Sequence, residues 1–130
     1  MALSPPPIDS LAAIPISALA YLGDAIYELH VRQSYLQPVR KINAYHQLVV
    51  AKVRAESQAK SLQKLIDNQI LTQAEQDLIR RGRNSAGQPT RAMEPEIYQK
   101  ATGFEVLLAY LYLSDRDRFQ LILQHTDHET

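Results

Sequence analysis

Apolar residues recur along this chain at intervals of three and four, the period of an amphipathic helix and not of a strand. Ile16, Leu19, Leu22, Ile26 and Leu29 predict a helix from Pro15 to about Tyr35. Proline is well placed in a first turn, where its missing N–H costs nothing, and Gln37-Pro38 ends the stretch. Asn43 is the expected cap of a second stretch, Ala44 to about Leu65, with Leu48, Ala51, Ala55, Ala59, Leu62 and Ile66 as its buried stripe and room for a break in the middle. Thr72-Gln-Ala-Glu75 reads as a capping box opening a shorter helix through Arg80. Pro95 starts another, through Tyr98, Ala101 and Leu108 to Leu113. Ser114, Asp115 and Asp117 then begin a last helix, Arg116 to Gln124. No stretch alternates as a half-buried strand does, and nothing repeats. The pattern predicts one all-α domain over residues 1–130, with 1–10 a flexible proline-rich start and 125–130 a frayed tail.

Composition narrows the function. With 45% hydrophobic and 22% charged residues in 130, the chain has enough apolar material for a real core and is not a disordered polymer. The absence of cysteine excludes disulfides, thiolate metal sites and cysteine nucleophiles. No apolar run approaches the roughly 18 residues of a membrane span, and Met1 to Ser10 lacks the basic cluster of a signal peptide. The expectation is a cytoplasmic protein without a membrane partner. Net charge is zero, but from Arg32 to Arg91 eleven Lys and Arg face four Asp and Glu. A basic middle between acidic flanks reads either as a phosphate-binding surface beside a metal site or as an ordinary solvated helical surface.

The chemistry-bearing residues are those that break the helical pattern. Ile16 to Leu29 is nearly all apolar, yet carries Gly23 and Asp24 at its centre. A mid-helix glycine costs about 1 kcal/mol against alanine, which points to a close backbone approach. Glu105 lies among apolar residues in the same way, in Ala101-Thr-Gly-Phe-Glu105-Val-Leu-Leu-Ala-Tyr. Ionised carboxylates in such company need pairing, hydrogen bonds or a metal. Brought together, Asp24 and Glu105 would share a proton or bind a hard cation such as Mg²⁺ or Mn²⁺; apart, each would accept hydrogen bonds or meet an arginine. Glu28, one turn after Asp24, reads either as a further acid facing the same side or, better, as an exposed or salt-bridged surface residue. His30 and His46 have no metal-ligand spacing, and His125 and His128 fall in the tail. The segment from Arg80 to Arg91 reads as a flexible basic loop at a helix end. Without aromatics it suits phosphates on a duplex better than stacking on single strands, although its arginines can also serve only the helix dipole. No nucleotide-binding or hydrolase signature is present.

Leu19-Ala-Tyr-Leu-Gly-Asp-Ala-Ile-Tyr-Glu28 resembles the signature helix of the ribonuclease III domain, and Lys100 to Leu113 resembles that family's second motif. Gly-Asp-Ala-Ile-Tyr-Glu, Ser57-Gln-Ala59 and Arg81-Gly-Arg-Asn84 resemble the Mini-III branch, whose members lack the usual double-stranded-RNA-binding domain. The resemblance runs from about Leu11 to Leu123 and leaves no room for such a domain. It implies a ribonuclease III-type helical fold and an endonuclease in which Asp24 and Glu105 hold Mg²⁺, or Mn²⁺, and cut double-stranded RNA, not DNA. The products would carry 5′-phosphates, 3′-hydroxyls and two-nucleotide 3′ overhangs, and the substrate would be the precursor ends of 23S ribosomal RNA. Arg81, Arg83, Asn84, Lys52 and Arg54 would hold phosphates. Two further carboxylates usual in the larger family are replaced here by Ala20 and Thr102, which leaves one or two ions per site open.

The family also pairs through its signature helix, which implies a homodimer. The residues agree, since Ala18, Tyr21, Ala25 and Tyr27 widen the apolar band beyond one stripe, with Tyr110 and Tyr112 adding to it. Tyr21 and Ala25 are the expected interface residues. The alternatives are a non-catalytic ribonuclease III-like module that binds structured RNA and a helical protein-interaction domain.

Overall fold

The helical period is realised in a computed structural model as a short 3₁₀ turn, Leu11–Ala13, and six α-helices: α1 (Ile16–Ser34), α2 (Ile42–Val53), α3 (Ala55–Asp67), α4 (Gln73–Ser85), α5 (Pro95–Ser114) and α6 (Arg116–Thr126). The structure describes residues 10–89 and 93–126, and no strand occurs among them. Arg91, His128 and most of the predicted flexible start lie outside the described residues, as does the side chain of Lys52.

The predicted second stretch is two helices. At Arg54 the backbone turns extended, with ψ of 155°, which resets the helical register. The carbonyls left open at the end of α2 are taken up from α3: Ser57 Oγ donates to Ala51 O and Gln58 Nε2 to Val53 O, each at 3.0 Å. The buried stripe therefore shifts to Gln58, Ala59, Ser61, Leu62 and Leu65. Ala51 and Ile66, expected inside, are exposed. Nor does Asn43 cap α2, which starts at Ile42, two residues earlier than expected, with Lys41 in the cap position.

Helix α4 opens with the predicted capping box, Glu75 N–H donating to Thr72 Oγ1 at 3.1 Å and Thr72 N–H to Glu75 Oε1 at 3.0 Å. It does not stop at Arg80. It runs to Ser85, so Arg81, Arg83 and Asn84 stand on a helix and not on a flexible loop. The reason is tertiary. Gly82 meets α5 at Gly103, and a Cβ on Gly82 would come within 3.0 Å of the Gly103 Cα. That close crossing holds the last turn in place.

Helix α5 is the centre of the fold. It packs against α1, α3, α4 and α6, and is apolar nearly all round, burying Phe104, Val106, Leu107, Leu108 and Ala109 completely. Against it α1 buries Leu19, Gly23, Tyr27 and Val31, a row spaced by four. Leu29, expected in the core, is 47% exposed, while Tyr27, expected on the outer band, is fully buried with its ring edge-on to Phe104 at 5.3 Å. Helix α6 is tied to α4 by Arg118, which reaches both Glu75 oxygens at 2.7 and 2.8 Å and Ile70 O at 2.8 Å. It continues to Thr126, two residues beyond the predicted end, and takes His125 into its last turn. No helix among the described residues is long and apolar enough to cross a membrane.

Candidate active site

Helices α1 and α5 cross with almost no separation at Gly23. A Cβ there would lie 1.9 Å from the backbone oxygen of Glu105, so only glycine permits the crossing. The next residue along α1, Asp24, is thereby brought to the Glu105 side chain, close enough to raise that carboxyl's pKa through its charge and hydrogen bonding. Asp24 is on the exposed flank of α1, and Glu105 is half-buried. From the third side comes Gln58 of α3, only 2% exposed, whose amide is close enough to pull the Glu105 pKa down.

This environment pushes the Glu105 carboxyl up to about 8. Burial is the largest cause, followed by the charge of Asp24 and the hydrogen bond with it, while Gln58 pulls the other way. In the metal-free protein the pair therefore holds a proton near neutral pH. A divalent cation is the natural replacement for it, because it removes the like-charge repulsion that keeps the proton bound. The residues fit such an ion. The donors are hard oxygens, and Gln58 Oε1 is a buried acceptor without a hydrogen-bond partner. No group of three or more His, Cys, Asp or Glu able to hold a metal occurs among the described residues. Thr102, at one of the replaced acid positions, turns its hydroxyl to Tyr98 O of its own helix at 3.0 Å. Asp24 and Glu105 would thus leave most of an ion's coordination to water and phosphate.

Glu28 is paired with Arg32 at 2.5 Å, the salt-bridged one of its two readings. His46 is exposed on α2, and His30 is half-buried beside the Tyr27 ring at 6.4 Å. The basic residues divide. Arg54 is exposed at the break before α3, and its carbonyl oxygen accepts from Gln58 N at 3.1 Å, one helical turn from the acid pair's amide. Arg81 and Arg83 are two positions apart on α4 and face different clefts. Arg81 lines one with Glu75, Tyr110 and Arg118; Arg83 and Asn84 line another with Ile66, Gln76 and Gln99. Arg83 also packs over Gly103, which is two positions from Glu105 and so on another face of α5. The structure therefore gathers Asp24, Glu105, Gln58 and the backbone of Arg54, and does not gather the arginines of α4 into one cluster with them.

On the outer side of α1, Tyr21 is 85% exposed and Ala18 and Ala25 are exposed as well. Tyr112 does not extend that surface. It stacks edge-on to Phe119 at 5.5 Å and lies under Arg116 at 4.0 Å, facing α6. Gln58 is the site residue whose role sequence reasoning missed. Its signals were its place in the Ser57-Gln-Ala59 segment that resembles the Mini-III branch, and a polar side chain at a position that the helical period of α3 alone, counted from Leu62 and Leu65, makes internal.

The ribonuclease III domain model matches residues 17–116. A Mini-ribonuclease 3 from Thermosynechococcus vestitus is 48% identical over 122 residues, 94% of this chain and 79% of that one. A Mini-ribonuclease 3 from a Synechococcus species is 50% identical over 122 residues, 94% of this chain and 85% of its own. Among solved structures, the crystal structure of a Fusobacterium nucleatum protein superposes with a TM-score of 0.77 at 30% identity, covering 88% of this chain and 90% of the other. With a crossing built on Gly23, two acids meeting beneath it and relatives of this closeness, the chain belongs to the ribonuclease III domain family, in the company of the Mini-ribonucleases 3.

Proposed function

We propose that this endoribonuclease cuts double-stranded RNA with Mg²⁺ held by Asp24 and Glu105, and that its substrate is the paired ends of 23S ribosomal RNA precursor in the cytoplasm. The observation that carries the reading is the meeting of the two carboxyl groups, one of them raised to about 8. Two acids forced together and partly desolvated are poised to exchange a shared proton for a cation. When bound, a divalent ion supplies a water of lowered pKa and offsets the charge of the phosphoryl transition state. The chain's own residues do the rest. Asp24, on the exposed flank, and Glu105, with Gln58 behind it, would hold the ion. Arg54, exposed one turn before Gln58, is the basic residue best placed to hold a backbone phosphate beside the pair, with Lys52 on the neighbouring turn of α2. Arg81, Arg83 and Asn84 would contact phosphates farther along the duplex, from two faces of α4. The 23S assignment rests on resemblance to the Mini-III branch.

Cleavage of long duplex RNA and of a 23S precursor stem, with and without Mg²⁺, tests the reading. Asp24→Asn and Glu105→Gln are close to isosteric and remove the ion's charge partners. Each should lower cutting by at least a hundredfold while duplex binding stays within a fewfold of wild type. Wild-type cutting by Glu105→Gln in saturating Mg²⁺ would overturn the assignment. Duplex DNA should survive.

A further inference from the structure

We propose that Gln58 is a positioning residue of the metal site, its Oε1 accepting a hydrogen bond from a water in the ion's hydration shell while its amide nitrogen holds Glu105. The inference rests on the metal-site reading of Asp24 and Glu105. Three observations carry it. Gln58 is 2% exposed, an unusual position for an amide on a helix that otherwise buries mainly alanine and leucine. Its nitrogen is committed, with an N–H on Val53 O at 3.0 Å, and the amide lies close enough to Glu105 to pull that carboxyl's pKa down. Its oxygen is buried and has no partner. A buried acceptor left open loses roughly 1–3 kcal/mol of hydrogen bonding, so such atoms are normally satisfied by protein or by ordered water.

The orientation follows from the nitrogen. Val53 O is an acceptor and cannot be faced by the amide oxygen, so Oε1 is turned to the other side of the amide. Glu105 cannot satisfy it when ionised, since a carboxylate only accepts. In the ion-bound site, where the pair has given up its proton, neither acid can donate, and the donor at hand is a water that arrives with the ion. Mg²⁺ and Mn²⁺ keep several waters, and each is a strengthened donor. With carboxylates from only two residues at the site, Gln58 does the work of orienting that shell which further acids would otherwise do. It acts through water and through Glu105 and touches no substrate.

The test is Mn²⁺ binding to the full-length, metal-free protein, followed by electron paramagnetic resonance without RNA and far below the unfolding temperature. Gln58→Met keeps length and removes both amide functions; Gln58→Glu keeps an acceptor at the same reach and loses the N–H. Both lose the bond to Val53 O, so a purely structural role moves them together. The expected result is a split: Gln58→Met binds Mn²⁺ about tenfold more weakly, the scale at which outer-shell partners act, and Gln58→Glu binds at least as tightly as wild type. Wild-type affinity in Gln58→Met, or equal weakening in both, would overturn the proposal. Asp24→Asn separates the two levels. If it too binds normally, the metal site itself is misassigned; if it alone loses binding, only the role of Gln58 fails. Should Gln58→Met not fold, the wild-type protein still decides. The Gln58 side-chain carbonyl carbon should move downfield in its NMR spectrum on addition of Mg²⁺, and an unmoved resonance would overturn the proposal.

Discussion

A carboxyl group held at about 8 is stable in the fold only while it keeps its proton. In the unfolded chain Glu105 ionises near 4.5, so the folded state binds the extra proton across the interval between. The stability associated with that proton is complete below about 4.5 and is lost as pH rises through about 8. Metal-free protein should therefore melt at a lower temperature at pH 8.5 than at pH 5.5, as far as this group decides it, and Mg²⁺ should recover the difference. Glu105→Gln, neutral at every pH, should flatten the profile and raise the melting temperature of metal-free protein at the alkaline end while cutting is lost. Calorimetry with a chelator checks both, and a variant profile as steep as wild type would refute the account. Beside it, Gly23→Ala should destabilise by roughly 3 kcal/mol, because the methyl would meet a backbone oxygen at 1.9 Å that no rotamer change can move. Gly82→Ala should lose less, its nearest neighbours lying at 3.0 Å.

Among the elements, α4 and α6 depend on one ion pair for their relation. Glu75 is 7% exposed, completes the Thr72 capping box and receives two bonds from Arg118. Burial alone would raise its pKa; the Arg118 hydrogen bond, with the Thr72 backbone and the guanidinium charge, outweighs burial and holds it below 4.5. Its contribution is thus present above about 4.5 and is lost as pH falls through the lower folded value. Arg118→Met should destabilise by roughly 2–3 kcal/mol at neutral pH, since it strands a buried carboxylate. Adding Glu75→Met should recover much of that, less the roughly 1 kcal/mol of a lost cap. Urea unfolding of the two variants provides the measurement. A double variant no more stable than the single would show that the pair is not what joins the helices.

For the molecule as a whole, the question is what covers α1. Ala18, Tyr21, Ala25 and Leu29 line up at spacings of three and four on its outer side, with Tyr21 85% and Leu29 47% exposed. Asp24 lies on the same flank. We infer a two-fold pairing through this face, which would bury the same band on both copies and set two acid pairs toward opposite strands of one duplex. Wild type should then sediment at twice its 14.7 kDa. Ala25→Arg should give monomers that retain Asp24 and Glu105 but no longer make paired cuts; an active wild-type monomer at micromolar concentration would sink this arrangement. RNA affinity should fall steeply with salt, and Arg54→Ala should flatten the dependence on log salt by about one phosphate contact.

The helix class, the capping box at Thr72, the start at Pro95 and the two informative acids were legible in the chain because each is a local signal. Spacing reports which residues can share a face, a cap is formed within three residues, and a charge in an apolar run is conspicuous wherever the run folds. Gly23 was legible as a close approach, though not what it approaches. What only tertiary structure decided was rotation and extent. The inward face of α1 is set by its crossing with α5, which buries Tyr27 and turns Leu29 outward, although both fit an apolar band. The last turn of α4 forms because Gly82 meets Gly103, which overrides the loop composition of its basic end. Likewise the role of Gln58 depends on a break at Arg54 that re-registers α3 and carries its amide to Glu105 from 47 positions away in the chain. Such contacts join residues distant in sequence, and no periodicity within one element encodes them.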